Sequence, residues 1–179
     1  MFRKIVLSFI VLILVADVSL ACVGKTIYVG YVDNKNEEIM ANVFSRLILE
    51  RTGTTAKLKS FKSAKALINA AQGGDVDVFV FSDEQIKEIV NSINHENAKT
   101  EFNVKYNLVW LKPLISAKNE FLVPIIRKDT LKKFPALPKL IEKLEGKLNV
   151  AVLSNLAASL KNRNMKDVVK DFLKENKLI

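Results

Sequence analysis

The chain of 179 residues contains one cysteine and one histidine. A single thiol excludes an intramolecular disulfide, and a lone histidine leaves no Cys/His cluster of the kind that holds zinc. Glycine (6) and proline (4) are sparse, and neither a low-complexity stretch nor an internal repeat is present. The longest apolar run, residues 5–16, is interrupted only by Ser8. It falls short of the about 20 residues that a membrane-spanning helix needs. No glycine-rich loop precedes a helix, as phosphate or dinucleotide binding requires. Gly73-Gly74 follows one and reads as a helix stop. His95 lies in a polar segment and reads as an exposed loop residue. Asp75 and Asp77 sit at the lead-in to a strand, and Asp83-Glu84 open a helix, where negative charge complements the helix dipole. These residues assemble no catalytic group, so the expectation is a protein that is not an enzyme, with no cofactor and no metal.

What is present begins at the amino terminus. Arg3 and Lys4 precede the apolar run, Asp17 ends it, and Ser19-Leu20-Ala21 place small residues just before Cys22. This is the pattern of an export signal over residues 1–21, which makes the remainder an extracytoplasmic protein. Cys22 fits two outcomes. It suits lipid attachment at the first mature position, with a dual-acylated chain held at the membrane surface. Ser19 stands where lipid-attachment sites usually carry an aliphatic residue, and together with Ala21 it suits ordinary cleavage and free release equally. The mature 158 residues, 22–179, are enough for one domain with a proper core.

Charge is unevenly spread. Residues 22–101 carry 10 Lys/Arg against 11 Asp/Glu, and residues 102–179 carry 16 against 7, a net of +9. The export signal and the lack of an interleaved aromatic-basic motif argue against a nucleic-acid partner. Most of these lysines fall on outer helix faces, where solvation explains them. A basic face also suits anionic lipid headgroups or an acidic partner.

Periodicity along the chain predicts strands over 26–32, 55–61 and 76–81, the last an almost continuous apolar run buried on both faces. Helices are predicted between them: one through Ile39, Val43, Leu47 and Ile48 stopping at Gly53, and one capped by Ser63 through Leu67, Ile68 and Ala71. A further helix starts at Asp83 and runs through Ile86, Ile89, Val90 and Ile93. Residues 95–104 read as a connection, 106–111 and 121–126 as strands, and 130–134, 137–144, a stretch from Asn149 and 166–175 as helices. The predicted fold is α/β, three-layer, with a mostly parallel sheet flanked by helices and a helical carboxyl-terminal part.

The order of elements and several fragments resemble a family. IYVGYVDNKNEEIMANVFSRLILERTG, AKALINAAQGGDVDVFV, IIRKDTLKKFPALPKLIEKLEGKL and the ending KDVVKDFLKENKLI look like the solute-binding proteins of bacterial ABC importers for glycine betaine, choline and related compounds. The resemblance implies a type II periplasmic-binding-protein fold, a quaternary amine ligand and a membrane permease as partner. Members of the family have two lobes with the ligand between them. Here only 28 residues separate Phe81 from Trp110, so the expectation is a single lobe, with self-association as one way to complete the cleft. A quaternary ammonium is held over aromatic faces, which makes Tyr31, Asp33, Asn34, Phe81 and Trp110 the candidate ligand residues. Lys35 would repel a cation, and the end of strand three lacks the family's usual tyrosine-glutamate pattern. The alternative is an interaction or sensor module on the outer membrane face that has kept the fold and lost the solute. Convergence of Tyr31, Phe81 and Trp110 in a pocket favours the first reading, and their burial in the core favours the second.

Overall fold

A computed structural model of the protein describes residues 25–90, 94–117 and 120–179. The export signal, Cys22 and Ile93 lie outside the described residues. Strand β1 (Ile27–Val32) leads into helix α1 (Lys35–Thr52), β2 (Ala56–Phe61), α2 (Ala64–Gly73), β3 (Val78–Ser82) and α3 (Asp83–Ile89). Then follow α4 (His95–Lys105), β4 (Leu108–Trp110), β5 (Ile115–Ala117) and β6 (Glu120–Arg127), and finally α5 (Lys128–Lys133), α6 (Leu137–Glu142), α7 (Val150–Ser159) and α8 (Met165–Glu175).

Local chemistry sets most of these boundaries. Asn34, Ser63 and Asn149 each accept a hydrogen bond from a first-turn N–H at the starts of α1, α2 and α7. Helices α1 and α2 end on Gly53 (φ 68°) and Gly74 (φ 89°), left-handed positions that glycine occupies without strain. Gly30 has a different role. A Cβ there would lie 2.4 Å from Leu67 Cδ1 and 2.8 Å from a Val76 methyl, so its absence lets α2 pack directly onto β1.

The sheet order is β2-β1-β3-β6-β4, with β5 paired to β6. Strands β1, β2 and β3 are parallel, as the two crossover units predict. Strand β6 pairs antiparallel with β3, β4 and β5, so the sheet is mixed where a mostly parallel one was expected. The reason is the short β5–β6 hairpin, which turns the chain back before it re-enters beside β3. Strand β3 alternates between two cores. Val78 and Val80 join Ile27, Val29 and Ile126 under α1, α6, α7 and α8, while Phe79 and Phe81 join Val123 and Ile125 under α2, α3 and α4. The result is three layers in a single lobe. Residues 95–104, read as a connection, form most of α4, because Ala98 and Phe102 are buried at helical spacing among mostly polar neighbours. Strand β5 was not anticipated, and α3 stops at Ile89 with Val90 already extended.

One buried carboxylate ties the amino end of the sheet together. Asp77 Oδ2 accepts from the Tyr28 backbone N–H at 2.9 Å, and Oδ1 accepts from Arg127 Nη2 at 3.0 Å and the Thr130 hydroxyl at 2.6 Å. Backbone bonds run beside these, from Asp77 N to the Tyr28 carbonyl and from Arg127 N to the Asp77 carbonyl. Strands β1 and β6, the lead-in to β3, and α5 therefore meet on a single side chain. The Arg127 guanidinium in turn sits against Gly74, where a Cβ would come within 3.1 Å of Nη1. Removing one partner of a buried ion pair leaves the other uncompensated, at about 3–5 kcal/mol. Asp77→Ala is expected to lose at least about 3 kcal/mol of unfolding free energy in a urea titration, and a loss below about 1 kcal/mol would contradict this role.

Candidate functional site

At the opposite end of the sheet, where β1 and β3 finish, lies an open cleft of about 400 Å³. Its position is the one that open α/β sheets use for ligands, outside the carboxyl ends of parallel strands. One wall is polar, made by the first turns of α1 and α3: Asn34, Asn36 and Glu37 from the former, Asp83, Glu84 and Gln85 with the capping Ser82 from the latter. The facing wall is apolar. Ile115, Phe121 and Leu122 come from the β5–β6 hairpin, and Val150 and Leu153 from α7.

Glu37 holds the polar wall in place. It is 7% exposed, and its Oε2 accepts from the Val32 backbone N–H at 2.8 Å while Oε1 accepts from Asn34 Nδ2 at 2.7 Å. Gln85 Nε2 donates to the same oxygen. Gln85 is itself fixed by a capping box with Ser82: its Oε1 accepts from Ser82 N at 2.8 Å, and its own N–H donates to the Ser82 hydroxyl. The end of β1 and the starts of α1 and α3 are thus locked through one carboxylate. Burial raises the Glu37 pKa above its ordinary 4.5, against the opposing pull of the bonds from Val32, Asn34 and Gln85.

Beside Glu37, the rim carries Asp83, whose Oδ1 lies 2.6 Å from His95 Nε2. The His95 ring stacks on Phe121 with centroids 4.1 Å apart and planes at 17°. His95 is therefore the first residue of α4, at the cleft rim, and not the loop residue expected from the polar composition around it. Lys35 turns away to Glu38, 3.1 Å from its carboxylate, and lies outside the cleft lining. Its charge does not face a ligand there.

The candidate residues are divided by the alternation of the strands. Asn34 lines the cleft, and Asp33 is exposed next to it with its N–H bonded to the Phe61 carbonyl at 2.8 Å. Tyr31 is half-buried and packs against the core under α1, α7 and α8. Phe81 (0% exposed) and Trp110 (8%) lie in the other core, both against Phe102 at 6.4 and 5.2 Å. The three aromatic candidates do not converge. Phe121 is the aromatic side chain that reaches the cleft, and sequence reasoning missed it because only the antiparallel return of β6, with Leu122 opposite Ser82, brings it there. Glu37 and Gln85 had a signal: Asn34-x-x-Glu37 and Ser82-x-x-Gln85 both match the helix-start pattern of a cap and a reciprocating side chain.

Chemically, the cleft offers carboxylates and amide donors opposite a ring and aliphatic side chains, a surface suited to a small amphiphilic cation or zwitterion. Among the described residues no group of three or more His, Cys, Asp or Glu side chains could hold a metal ion, and no helix is long and apolar enough to cross a membrane. Because the folded state raises the Glu37 pKa, its contribution to stability is fully present below the unfolded value and is lost as pH rises through the folded one. Wild-type protein is therefore expected to lose stability relative to Glu37→Gln as pH rises from about 4 towards neutrality. Parallel stability curves for the two proteins by chemical denaturation would show that burial of this carboxylate has no such effect.

Solved structures share this fold. A crystal structure of a glycine betaine/carnitine/choline ABC transporter matches with a TM-score of 0.73 at 10% identity, over 85% of this chain and 99% of that one. Apo YehZ from Escherichia coli matches with a TM-score of 0.74 at 11% identity, over 87% and 100% respectively. At such identities the likeness establishes the fold. A comparison with curated protein sequences finds no match. The family model for the substrate binding domain of ABC-type glycine betaine transport systems matches residues 25–120 and 100–175. Together these stretches cover nearly all of the described chain, and the protein belongs to that family of substrate-binding domains.

Proposed function

We propose that the protein is the exported solute-binding component of an ABC importer and takes a small quaternary amine of the glycine betaine type. The observation that carries this reading is the two-sided cleft, with Asp83, Glu84 and the buried Glu37 facing Phe121. A quaternary ammonium has no N–H to donate, so it is held by the negative face of a ring and by nearby carboxylates, at about 2 kcal/mol per desolvated ring contact. Asn34 and Asn36 supply amide donors for the carboxylate of a zwitterion. Residues 1–21 direct export, Cys22 is the site of lipid attachment if the chain is anchored, and residues 22–179 form the working domain. The permease of the importer receives the solute.

Phe81 and Trp110 are committed to the core, so the described lobe presents one aromatic face where an ammonium cage needs several. A second surface, from another copy of this chain or from the permease, would have to close over Phe121. The same observation favours the alternative reading, an interaction or sensor module that has kept the fold and lost the solute. Calorimetric titration of the purified mature protein with glycine betaine, choline, carnitine and proline separates the two. Solute binding predicts heat with at least one of them. It further predicts that Phe121→Ala and Asp83→Asn each weaken binding by about tenfold or more. Silence with all four, in monomer and dimer alike, would leave the interaction module as the better account.

A further inference from the structure

The end of the sheet away from the cleft has a different character. Two hollows lie there side by side, of about 280 and 140 Å³, with Arg127 in the wall of both. Lys25, Tyr28 and Lys133 line the first, and Lys105 and Tyr106 the second. Lys25 and Lys133 are exposed and have no ion-pair partner among the described residues. The acids nearby are already engaged: Asp77 by Arg127 and Thr130, Asp75 by Lys59, Glu101 by Lys105, and Asp129, in the wall of the second hollow, by Lys132. Lys59 also lies 4.4 Å from the centre of the Tyr28 ring. Next to Lys105 at the end of α4, Val104 is 80% exposed, the most exposed of the large aliphatic side chains described.

The unpaired Lys25 and Lys133, the Glu101-paired Lys105, two half-buried tyrosines and one protruding aliphatic side chain form an amphipathic rim. Nothing about the solute cleft requires it. The chain also enters β1 at this edge. Only residues 23–26 separate Cys22 from Ile27, a span of at most about 18 Å. An attachment at Cys22 would hold the edge within reach of a membrane surface, whose potential decays over a Debye length of about 8 Å at physiological salt.

We propose that this amino edge of the sheet is a docking surface for anionic lipid headgroups. Lys25 and Lys133 meet the phosphates, the tyrosines lie at headgroup level, and Val104 enters the acyl boundary. The inference relies on export and not on the identity, or the existence, of a solute.

The test is cosedimentation of the unacylated mature protein with phosphatidylglycerol vesicles and with phosphatidylcholine vesicles. Binding to the former and not the latter is expected, with a loss of roughly fivefold for each edge lysine neutralised. Lys25→Glu combined with Lys133→Glu should therefore lower partitioning by more than about tenfold. Lys62→Glu combined with Lys65→Glu, the same charge change at the cleft end of the sheet, should leave most of the binding intact. Equal losses in the two double variants would reduce the effect to net charge and overturn the proposal. Equal binding to both vesicle types, or to neither, would also overturn it. Inorganic phosphate at constant ionic strength should not compete, and full displacement by it would identify a free-anion site instead of a docking surface.

Discussion

Asp77 is the constraint from which the rest of the lobe follows. Strands β1 and β3 run parallel and meet in register at Val29 and Val78, whereas β6 arrives from a hairpin and runs against them. Nothing in hydrophobic patterning alone chooses where that returning strand stops, because a buried strand is apolar on both faces. The Asp77 carboxylate does choose, since Arg127 and Thr130 reach it only with β6 ended and α5 begun at one place. A buried carboxylate without its three donors would be costly to desolvate. Glu37 plays the corresponding part at the other end of β1, where it gathers Val32, Asn34 and Gln85. One carboxylate closes the sheet's amino end, and the other shapes the cleft.

This arrangement gives the lobe two ends of opposite character. The cleft end carries Asp33, Glu37, Asp83 and Glu84, and the amino end carries Lys25, Lys105, Arg127 and Lys133 beside the already engaged Asp77 and Asp129. The excess of positive charge in the second half of the sequence is therefore only partly a matter of solvated helix faces. Some of it is delivered to a single edge, because β6 ends and α5 begins where β1 starts. Solute recognition and surface attachment can then occupy separate ends of one sheet, with the strands as a rigid spacer between them.

Much of the fold was legible in the sequence because its signals are local. Asn34, Ser63 and Asn149 as caps, Gly53 and Gly74 as stops, and the continuous apolar run of β3 each follow from near-neighbour chemistry. The fragments containing Gly74-Asp75-Val76-Asp77 and Arg127-Lys128-Asp129 could be read as characteristic of a family, yet not as partners, since the Asp77–Arg127 pair joins residues 50 apart. Helix α4 was hidden by composition: Ala98 and Phe102 are its buried residues, too few to give a visible stripe. The candidate site was half legible. Asn34 could be found from its place after strand one. Phe121 and His95 could not, because their stacking depends on an antiparallel return that no local pattern encodes. Phe81 and Trp110 could be read as ligand residues or as ordinary buried aromatics at strand ends, and the fold places both in the core.

The account rests on a single lobe meeting its solute at the cleft end of the sheet. An amide-resolved NMR titration of the mature protein with glycine betaine tests this most directly. Saturable shifts confined to the starts of α1 and α3 and to the β5–β6 hairpin, with Asn36, Asp83 and Phe121 among the most affected, are the predicted result. Shifts centred on Tyr28 and Arg127, or none at saturating solute, would contradict it.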